Sequence, residues 1–224
     1  MSKSLPRPTA ATTSECKPPV ALHSEFSAGK RRLRILPTVA ILAVSVASVD
    51  ANQDASRPRF SSQVVSARMP GHAVEIDIDI KGATKLFLVV RDGGDGFGCD
   101  WADWVEPRLV GPAGEKKLTD LKWKSATADW GRTRINRNAA GDDLLVNGRV
   151  VKYGIGTHAN SVITYDLPSG FVRFKARGAL DNGGTDQGCG STVQFQVYVD
   201  ALPARVARAS RGWWGRPVKR SSPI

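Results

Sequence analysis

Two glycine-rich segments combine acidic side chains with a cysteine, a pattern typical of binding loops. They are DGGDGFGCD at residues 92–100 and DNGGTDQGCG at residues 181–190. Glycine lets the backbone adopt positive φ and approach a ligand closely, and Asp and Asn side chains suit the same turns. Each segment follows a predicted strand, and binding groups concentrate in the loops at one end of a β-sandwich. The two segments are therefore predicted to meet at one site.

The carboxylates of these segments are oxygen ligands of the kind that Ca²⁺ prefers. Asp92, Asp95 and Asp181 are the candidate ligands of a structural calcium ion, the one cofactor that the sequence suggests. The fixed spacing of an EF-hand loop is absent. The competing interpretation, that these side chains only stabilise tight turns, is therefore favoured.

Cys99 and Cys189 occupy matching places in the two segments, which favours a disulfide bond between them. Export would make this chemistry available, and Cys16 would be removed with the export signal, leaving an even pair. The chain-entropy model assigns roughly 4–5 kcal/mol to closing a loop of about 90 residues. The alternative is two free, buried thiols.

Four tryptophans at positions 101, 104, 123 and 130 lie within 30 residues. An aromatic ring stacks on the apolar C–H face of a sugar, while Asp, Asn, Arg and His bind its hydroxyl groups. Core packing is the expected role of most of the four. Trp101 and Trp104 adjoin the first glycine-rich segment and are the better candidates for a site.

His158 lies in the segment GIGTHANS at residues 154–161, directly before a predicted strand. A single histidine is more often a hydrogen-bonded structural residue than a ligand contact. The motifs GxSxG and HExxH are both absent from the chain, so neither a nucleophile elbow nor a zinc protease site is predicted. Loop carboxylates such as Asp95 and Asp186 leave a small glycosidase open as an alternative. Binding is favoured over catalysis.

The elements that must position these residues are short strands. Apolar and acidic residues alternate over residues 74–80, and KLFLVVR at 85–91 is a more continuously apolar strand. Residues 144–151 predict a hairpin whose Asn147-Gly148 turn is of type I′. Three further strands are predicted at residues 162–167, 171–179 and 192–199. No helical amphipathic pattern of ten residues is present, so the predicted fold is an all-β sandwich.

The ends of the chain differ in composition from its middle. Residues 1–51 are predicted to be a disordered leader that includes an export signal, the 15-residue apolar run at 35–49. A membrane-spanning helix needs about 20 apolar residues, whereas a secretory signal needs roughly 7–15. An uncleaved membrane anchor and a buried helix are the alternatives. Residues 52–70 are predicted to be a linker, 71–200 the sandwich, and 201–224 a basic, disordered tail.

The formal charge of +11 belongs to the two ends, since residues 1–35 carry +5 and residues 201–224 carry +6. The middle of the chain is neutral, so a nucleic-acid footprint on the folded part is not supported. Nucleic-acid binding through the tails is the weakest hypothesis. The export signal predicts a secreted, periplasmic or cell-surface protein, with membrane contact only through an uncleaved signal.

Several motifs, in order, resemble one family. They are LTDLKW at 118–123, WG at 130–131, GIGTHANS at 154–161 and STVQFQV at 191–197. The chain resembles the novel putative carbohydrate-binding module (NPCBM), which accompanies glycoside hydrolase family 98 catalytic domains and overlaps carbohydrate-binding module family 51. The stretch DGGDGFGCDWADW is similar to the variant found in secreted planctomycete proteins. The resemblance covers about residues 72–200.

This resemblance implies a galactose-binding-like β-sandwich, or jelly roll, that recognises glycans, often galactose-containing ones, and can carry structural calcium. The candidate sugar contacts are Trp104, Trp130, His158, Asn160 and Asn182. The predicted function is that of an exported, non-catalytic carbohydrate-binding module. The alternative is a domain that docks a protein partner or assembles a surface through the same loops, without binding sugar.

Overall fold

The computed structural model describes residues 57–209, which fold into two packed, six-stranded antiparallel sheets. Sheet A has the order β1 (Phe60–Ser61), β14 (Thr192–Val199), β4 (Lys85–Asp92), β12 (Ser161–Asp166) and β7 (Ser125–Ala128), and β2 (Val65–Ser66) also pairs with β14. Sheet B has the order β3 (Ala73–Asp79), β13 (Arg173–Leu180), β5 (Trp101–Gly111), β11 (Gly154–His158) and β8 (Arg134–Ile135), and β6 (Gly114–Lys117) also pairs with β5. The predicted all-β sandwich is confirmed.

A separate two-stranded hairpin, β9 (Leu145–Val146) and β10 (Arg149–Val150), lies outside the two sheets. Its turn has φ of 50° at Asn147 and 73° at Gly148, the two positive values that a type I′ turn requires. The helical segments are short: 3₁₀ turns at Pro70–His72 and Leu118–Asp120, and α-helices at Asn182–Thr185 and Ala204–Ala209. Within residues 57–209, none of these helices has the length and apolar content to cross a membrane.

The core forms where the alternating strands of the two sheets face each other. On β14, Val193, Phe195 and Val197 have no exposed surface and pack in the main apolar cluster. Trp104 of β5 lies in the same cluster, and its ring centre is 5.1 Å from that of Phe195 in an edge-on arrangement. Gly178 is required beside this pair, because a Cβ there would lie 2.6 Å from Phe195 Cγ.

The longest strand, β5, was not among the predicted strands because its pattern changes phase. Arg177 of β13 pairs with Val105, whereas Lys175 pairs with Arg108, so β5 carries one extra residue between the two pairs. Glu106, with φ of 48°, lies in this bulge. The bulge reverses which side of the strand faces the core, so Trp104 and Leu109 both point inward. A simple alternation therefore cannot be read along β5.

The predicted boundaries of the sandwich need correction at both ends. Residues 57–70 were predicted to be linker, yet Arg59 N donates to Val197 O at 2.8 Å, and Val65 of β2 is fully buried. The polar composition of these residues gave no strand signal, yet their backbone groups pair with β14 and extend sheet A. The predicted tail begins with the helix Ala204–Ala209, whose Val206 packs on an apolar outer patch of sheet A with Val89 and Tyr198. The predicted export signal lies outside the described residues.

Candidate functional site

Four rings cluster at one end of the sandwich, and we call this cluster the aromatic platform: Phe97, Trp101, Trp130 and His158. The ring centre of Trp130 lies 4.9 Å from that of Trp101 and 5.4 Å from that of His158. Phe97 meets His158 edge-on at 6.1 Å. Trp130 and Phe97 are 45% and 46% exposed, whereas Trp101 and His158 are buried beneath them. The platform therefore offers two half-exposed aromatic surfaces on a fixed base.

The base of the platform is set by strand pairing. His158 at the end of β11 lies opposite Trp101 at the start of β5. Just beyond the pair, Ala159 N donates to Asp100 O at 3.0 Å. Gly156 of β11 lets the chain pass close to the loop before β9, because a Cβ at this position would clash with the backbone oxygen of Arg137. The glycines of the GIGTHANS segment thus serve the packing that delivers His158 to the platform.

The electrostatics of His158 favour a neutral imidazole. Burial lowers the pKa of His158, although its hydrogen bond to the Ala159 carbonyl and the charge of Asp129 act in the opposite direction. Nδ1 lies 2.6 Å from Ala159 O and must carry the proton to donate to it. Nε2 is then an acceptor, and it forms no hydrogen bond within residues 57–209. A neutral ring with one unused acceptor can accept a hydrogen bond from a ligand hydroxyl.

Asn160 ties two loops together beside the platform. Its Nδ2 donates to Asp92 Oδ2 at 3.0 Å and to Asp129 Oδ2 at 3.2 Å, while its Oδ1 accepts from Asp92 N at 3.0 Å. The amide is thus fully engaged by its protein neighbours. The second oxygen of Asp129, Oδ1, is buried without a partner among the described residues. The predicted contact Asn160 is therefore placed to position Asp129, the residue directly before Trp130.

Asp100 lies under the first glycine-rich loop and is 1% exposed. Its Oδ1 accepts from Thr192 N at 2.9 Å, and in the described part of the chain its Oδ2 has no partner. Burial raises the pKa of Asp100 to about 7; the hydrogen bond from Thr192 opposes this rise, and the charges of Asp95 and Asp92 add to it. The carboxyl group is therefore partly protonated near neutral pH.

A disulfide between Cys99 and Cys189 joins the two glycine-rich loops, with the Cα atoms 6.2 Å apart. The loops also meet through Gly184, whose missing side chain leaves room for the Cys99 carbonyl, and through Ser191 Oγ, which donates to Cys99 O at 2.7 Å. These contacts hold the loop that carries Phe97 against the rest of the platform.

Trp104, one of the five predicted sugar contacts, is placed in the core instead. Its ring has no exposed surface and packs between Phe195 and Phe174. A ring without exposed surface cannot stack on a sugar, so this prediction is corrected. Residues three apart on a strand face opposite sides, which is why Trp101 reaches the platform and Trp104 does not.

Asn182 lies apart from the platform contacts, in a groove beside the β9–β10 hairpin. Its Oδ1 accepts from Gly148 N at 2.9 Å, and its Nδ2 donates to the Asp186 carboxylate at 2.9 Å. The groove is lined by Asn182 together with Arg137 and Asp143, and none of the four platform rings contributes to it. The structure therefore unites Trp130, His158 and Asn160 but not Asn182.

The predicted calcium ligands do not form one site. Asp181 is fully buried, and its carboxylate accepts from Gly183 N at 2.7 Å and from Leu145 N at 3.0 Å as the N-cap of the helix Asn182–Thr185. Asp92 accepts from Gly94 N at 3.1 Å, and Asp95 accepts from Thr192 Oγ1 at 2.7 Å. Across residues 57–209, no three His, Cys, Asp or Glu side chains are grouped to hold a metal ion. These three carboxylates thus do not fit a shared calcium ion.

A second buried acid accompanies Asp181. Asp103 of β5 is fully buried, and burial together with the neighbouring Asp181 raises the pKa of Asp103 well above its usual value. Asp181 also accepts from Asn138 Nδ2 at 3.3 Å, whereas neither oxygen of Asp103 has a hydrogen-bond partner among the described residues. The two acids lie close together where β5 meets the loop and helix packed over it.

Phe97 and Asp129 contribute to this region without having been predicted as sugar contacts. Phe97 is a large apolar residue in an otherwise polar, glycine-rich loop, and this contrast is the sequence feature that could have marked it as a binding residue. Asp129 adjoins Trp130, but its bonds to Asn160 depend on a loop 31 residues away in sequence. No local pattern reports such a contact.

Comparison with known proteins gives one positive finding. A family model described as NPCBM/NEW2 domain matches residues 45–110 and 114–219, which is more than half of the chain. No curated protein and no solved structure matches significantly.

Proposed function

Because the chain belongs to the NPCBM/NEW2 domain family, we propose that it is an exported, non-catalytic carbohydrate-binding domain. The bound glycan is of the galactose type and lies on the aromatic platform. The observation that carries the proposal is the half-exposed ring of Trp130 beside the buried rings of Trp101 and His158. A sugar needs an aromatic surface for its C–H groups and nearby polar atoms for its hydroxyls, and this end of the sandwich offers both.

Each platform residue has a distinct proposed role. Trp130 stacks on the sugar ring, and the exposed edge of Phe97 borders the same surface. Neutral His158 accepts a hydrogen bond from a sugar hydroxyl at Nε2, since its Nδ1 is used by Ala159 O. Asn160 acts through Asp129, whose hydrogen bond from Asn160 Nδ2 fixes the loop that carries Trp130.

A galactose-type ring suits such a surface because its axial hydroxyl leaves the hydrogens of three ring carbons together on one face. That face stacks on an aromatic ring, while the hydroxyls at the edge reach polar side chains. Affinity is expected to be modest, because a single half-exposed tryptophan buries little surface and the hydroxyls must exchange water for protein partners.

A glycan array followed by calorimetric titration of the oxidised full-length chain tests the proposal. We expect galactose-containing hits whose binding falls at least tenfold in Trp130→Ala. Val150→Ala is the matched control, since Val150 is an exposed apolar residue on the β9–β10 hairpin, and its binding should equal that of the unmodified chain. A blank array from folded protein would reject sugar binding and favour the protein-docking alternative.

Binding without turnover is a separate part of the proposal. The glycosidase alternative relied on Asp95 and Asp186; Asp95 accepts from Thr192 Oγ1, and Asp186 accepts from Asn182 Nδ2. Each carboxylate is therefore occupied by a neighbouring side chain. We expect no hydrolysis of nitrophenyl galactosides, and activity abolished by Asp95→Asn or Asp186→Asn would contradict this expectation.

Export is proposed from the apolar run at residues 35–49 and is supported by the Cys99–Cys189 disulfide, which is typical of oxidising compartments. Fusing residues 1–56 to a reporter that is active only outside the cytoplasm tests this part. An inactive, cell-retained reporter would refute it. We further propose that the domain holds a glycoside hydrolase, or the cell surface, at the glycan that it binds. Co-purification of the domain with secreted hydrolases would test the first of these.

A further inference from the structure

A groove of about 530 Å³ runs along the outer face of sheet A, away from the aromatic platform rings. Its floor is formed by outward side chains of β14 and β4, and the helix Ala204–Ala209 forms one wall. Besides Asp92, the polar residues that line it are Arg91, Gln194, Gln196, Tyr198 and Arg205. A polar groove on a sheet face differs in kind from the platform, where the ligand surface is aromatic.

Strand alternation places these side chains together. Gln194, Gln196 and Tyr198 alternate with the buried core residues of β14, and Arg91 of β4 pairs directly with Gln194. The Tyr198 hydroxyl donates to Gln196 Oε1 at 3.1 Å, and Gln196 Nε2 donates to Gln194 Oε1 at 3.0 Å. Gln194 Nε2 in turn donates to Ser62 O at 2.8 Å. The floor is thus ordered before any ligand arrives, and one N–H of Gln194 is left for a ligand.

Two arginines in this groove lack acidic partners. Within residues 57–209, neither Arg91 nor Arg205 forms an ion pair, whereas Arg173 pairs with Asp77 at 2.7 Å and Arg108 pairs with Glu115 at 3.2 Å. Both unpaired guanidinium groups act on the same phenol: they lower the pKa of Tyr198, although burial raises it by more. Both cations thus line the same groove as Tyr198 and lie close enough to influence its ionisation.

The one acid that lines the groove does not neutralise these cations. Asp92 directs its carboxylate to Gly94 N and to Asn160 Nδ2. It therefore fastens the groove wall to the loop beside the platform. Gly93 and Gly94 of that wall belong to the loop that carries Phe97, so the groove and the platform share one segment of chain.

We propose that this groove binds an anionic substituent of a polysaccharide, a sulfate ester or a uronate carboxylate, through Arg91 and Arg205. Guanidinium groups hold oxyanions by charge-assisted, often bidentate hydrogen bonds. The amide and phenol groups of the floor suit the hydroxyls of the sugar that carries the charge. The inference rests on the proposed glycan-binding function, because the loop shared by the groove and the platform would let one polysaccharide contact both sites.

Isothermal titration of the full-length chain tests the inference with four ligands: a sulfated galactan, the same galactan after chemical desulfation, polygalacturonate and neutral agarose oligosaccharides. We expect the sulfated galactan or polygalacturonate to bind at least tenfold more weakly to Arg91→Gln and to Arg205→Gln. The two variants lie on different elements, so a folding defect in one leaves the other informative. Binding of the neutral ligands should be unchanged in both.

Arg149→Gln is the matched control, since Arg149 is an exposed arginine on the β9–β10 hairpin and its replacement changes the net charge equally. An equal loss in Arg149→Gln would mean attraction to net charge alone and would overturn the inference, as would unchanged binding in both groove variants. Trp130→Ala separates the two proposals. If Trp130→Ala loses binding of the neutral ligands while charged ligands still depend on Arg91 and Arg205, both proposals are supported. If only charged ligands bind the unmodified chain, and they do so through the arginines, the groove is supported and the platform is rejected.

Discussion

The two faces of β5 differ in what they support: one face packs in the core, and the other carries the base of the proposed binding platform. Trp104 faces the interior, where two phenylalanine rings enclose it and no surface remains exposed. Trp101 faces outward, where it is 8% exposed and supports the half-exposed ring of Trp130. The same residue type, three positions apart, thus does different work. The difference lies in what covers each face: the second sheet covers one, and the loops that connect strands at the end of the sandwich cover the other.

The largest loss of stability is expected from a substitution on the core-facing side of β5. Trp104→Ala removes a fully buried ring from between Phe174 and Phe195, and such large-to-small changes cost about 3–5 kcal/mol. We expect urea denaturation to show a free energy of unfolding lowered by that amount, or no folded protein at all. Trp104→Phe should recover part of the loss. An unaffected midpoint in Trp104→Ala would contradict the placement of this ring in the core.

The disulfide is the next largest effect, and it belongs to the platform side. Replacing Cys99 and Cys189 by Ser together is expected to lower the free energy of unfolding by about 4 kcal/mol, the upper end of the usual range, because the bond closes a loop of 90 residues. The released loop carries Phe97, so glycan binding should weaken at a temperature where the domain is still folded. Dithiothreitol should shift the unmodified chain to the midpoint of the double variant. If it shifts the double variant as well, the effect is not due to this bond.

Much of sheet A and the turn of the β9–β10 hairpin could be predicted from the sequence, because the alternation of apolar and polar residues and the turn residues are regular there. The strand at 192–199 was predicted with the observed bounds, and the Asn147-Gly148 turn was predicted with its type. β5 could not be predicted, since Glu106 shifts its phase and both faces of its first half are buried. The error over Trp104 has the same cause: without a known phase, the two tryptophans cannot be assigned to faces.

The sequence could identify single residues of the proposed platform but not how they assemble. Trp130, His158 and Asn160 were identified by their types and by the resemblance, and the structure brings them together. Asn182 was predicted alongside them but lies apart, because its glycine-rich segment joins the platform through Gly183 while its side chain bonds Gly148. Which side chains of a loop face a site depends on long-range pairing, such as His158 opposite Trp101, that no local motif contains.

Asp100 allows the comparison to be sharpened through pH. The pKa of this carboxyl is raised to about 7 in the folded chain from 3.8, chiefly by burial. A raised carboxyl pKa means that the folded state holds the proton more tightly, so its stabilising contribution is complete below about pH 4 and is lost as the pH rises to 7. We expect the unmodified chain to lose on the order of 4 kcal/mol over this window, because the shift spans about three pKa units at about 1.4 kcal/mol each.

Asp100→Asn tests that assignment, because the amide stays neutral at every pH in the window. Urea denaturation at pH 4.5, 6 and 7.5 should show a smaller decline in the free energy of unfolding for this variant than for the unmodified chain. Asp120→Asn, at an exposed position after Leu118, is the control and should keep the full decline. An identical decline in all three proteins would show that Asp100 does not titrate in this range.

The smallest effect on stability is expected at Trp130, although its effect on binding is large. Its ring is 45% exposed and packs on one face of Trp101, and an aromatic pair of this kind contributes about 0.5–1.5 kcal/mol. Trp130→Ala should therefore lower the free energy of unfolding by about 1 kcal/mol, a fraction of the cost at Trp104, while removing glycan affinity. A cost as large as that of Trp104→Ala would mean that the platform is part of the core, and the distinction between the two faces of β5 would fail.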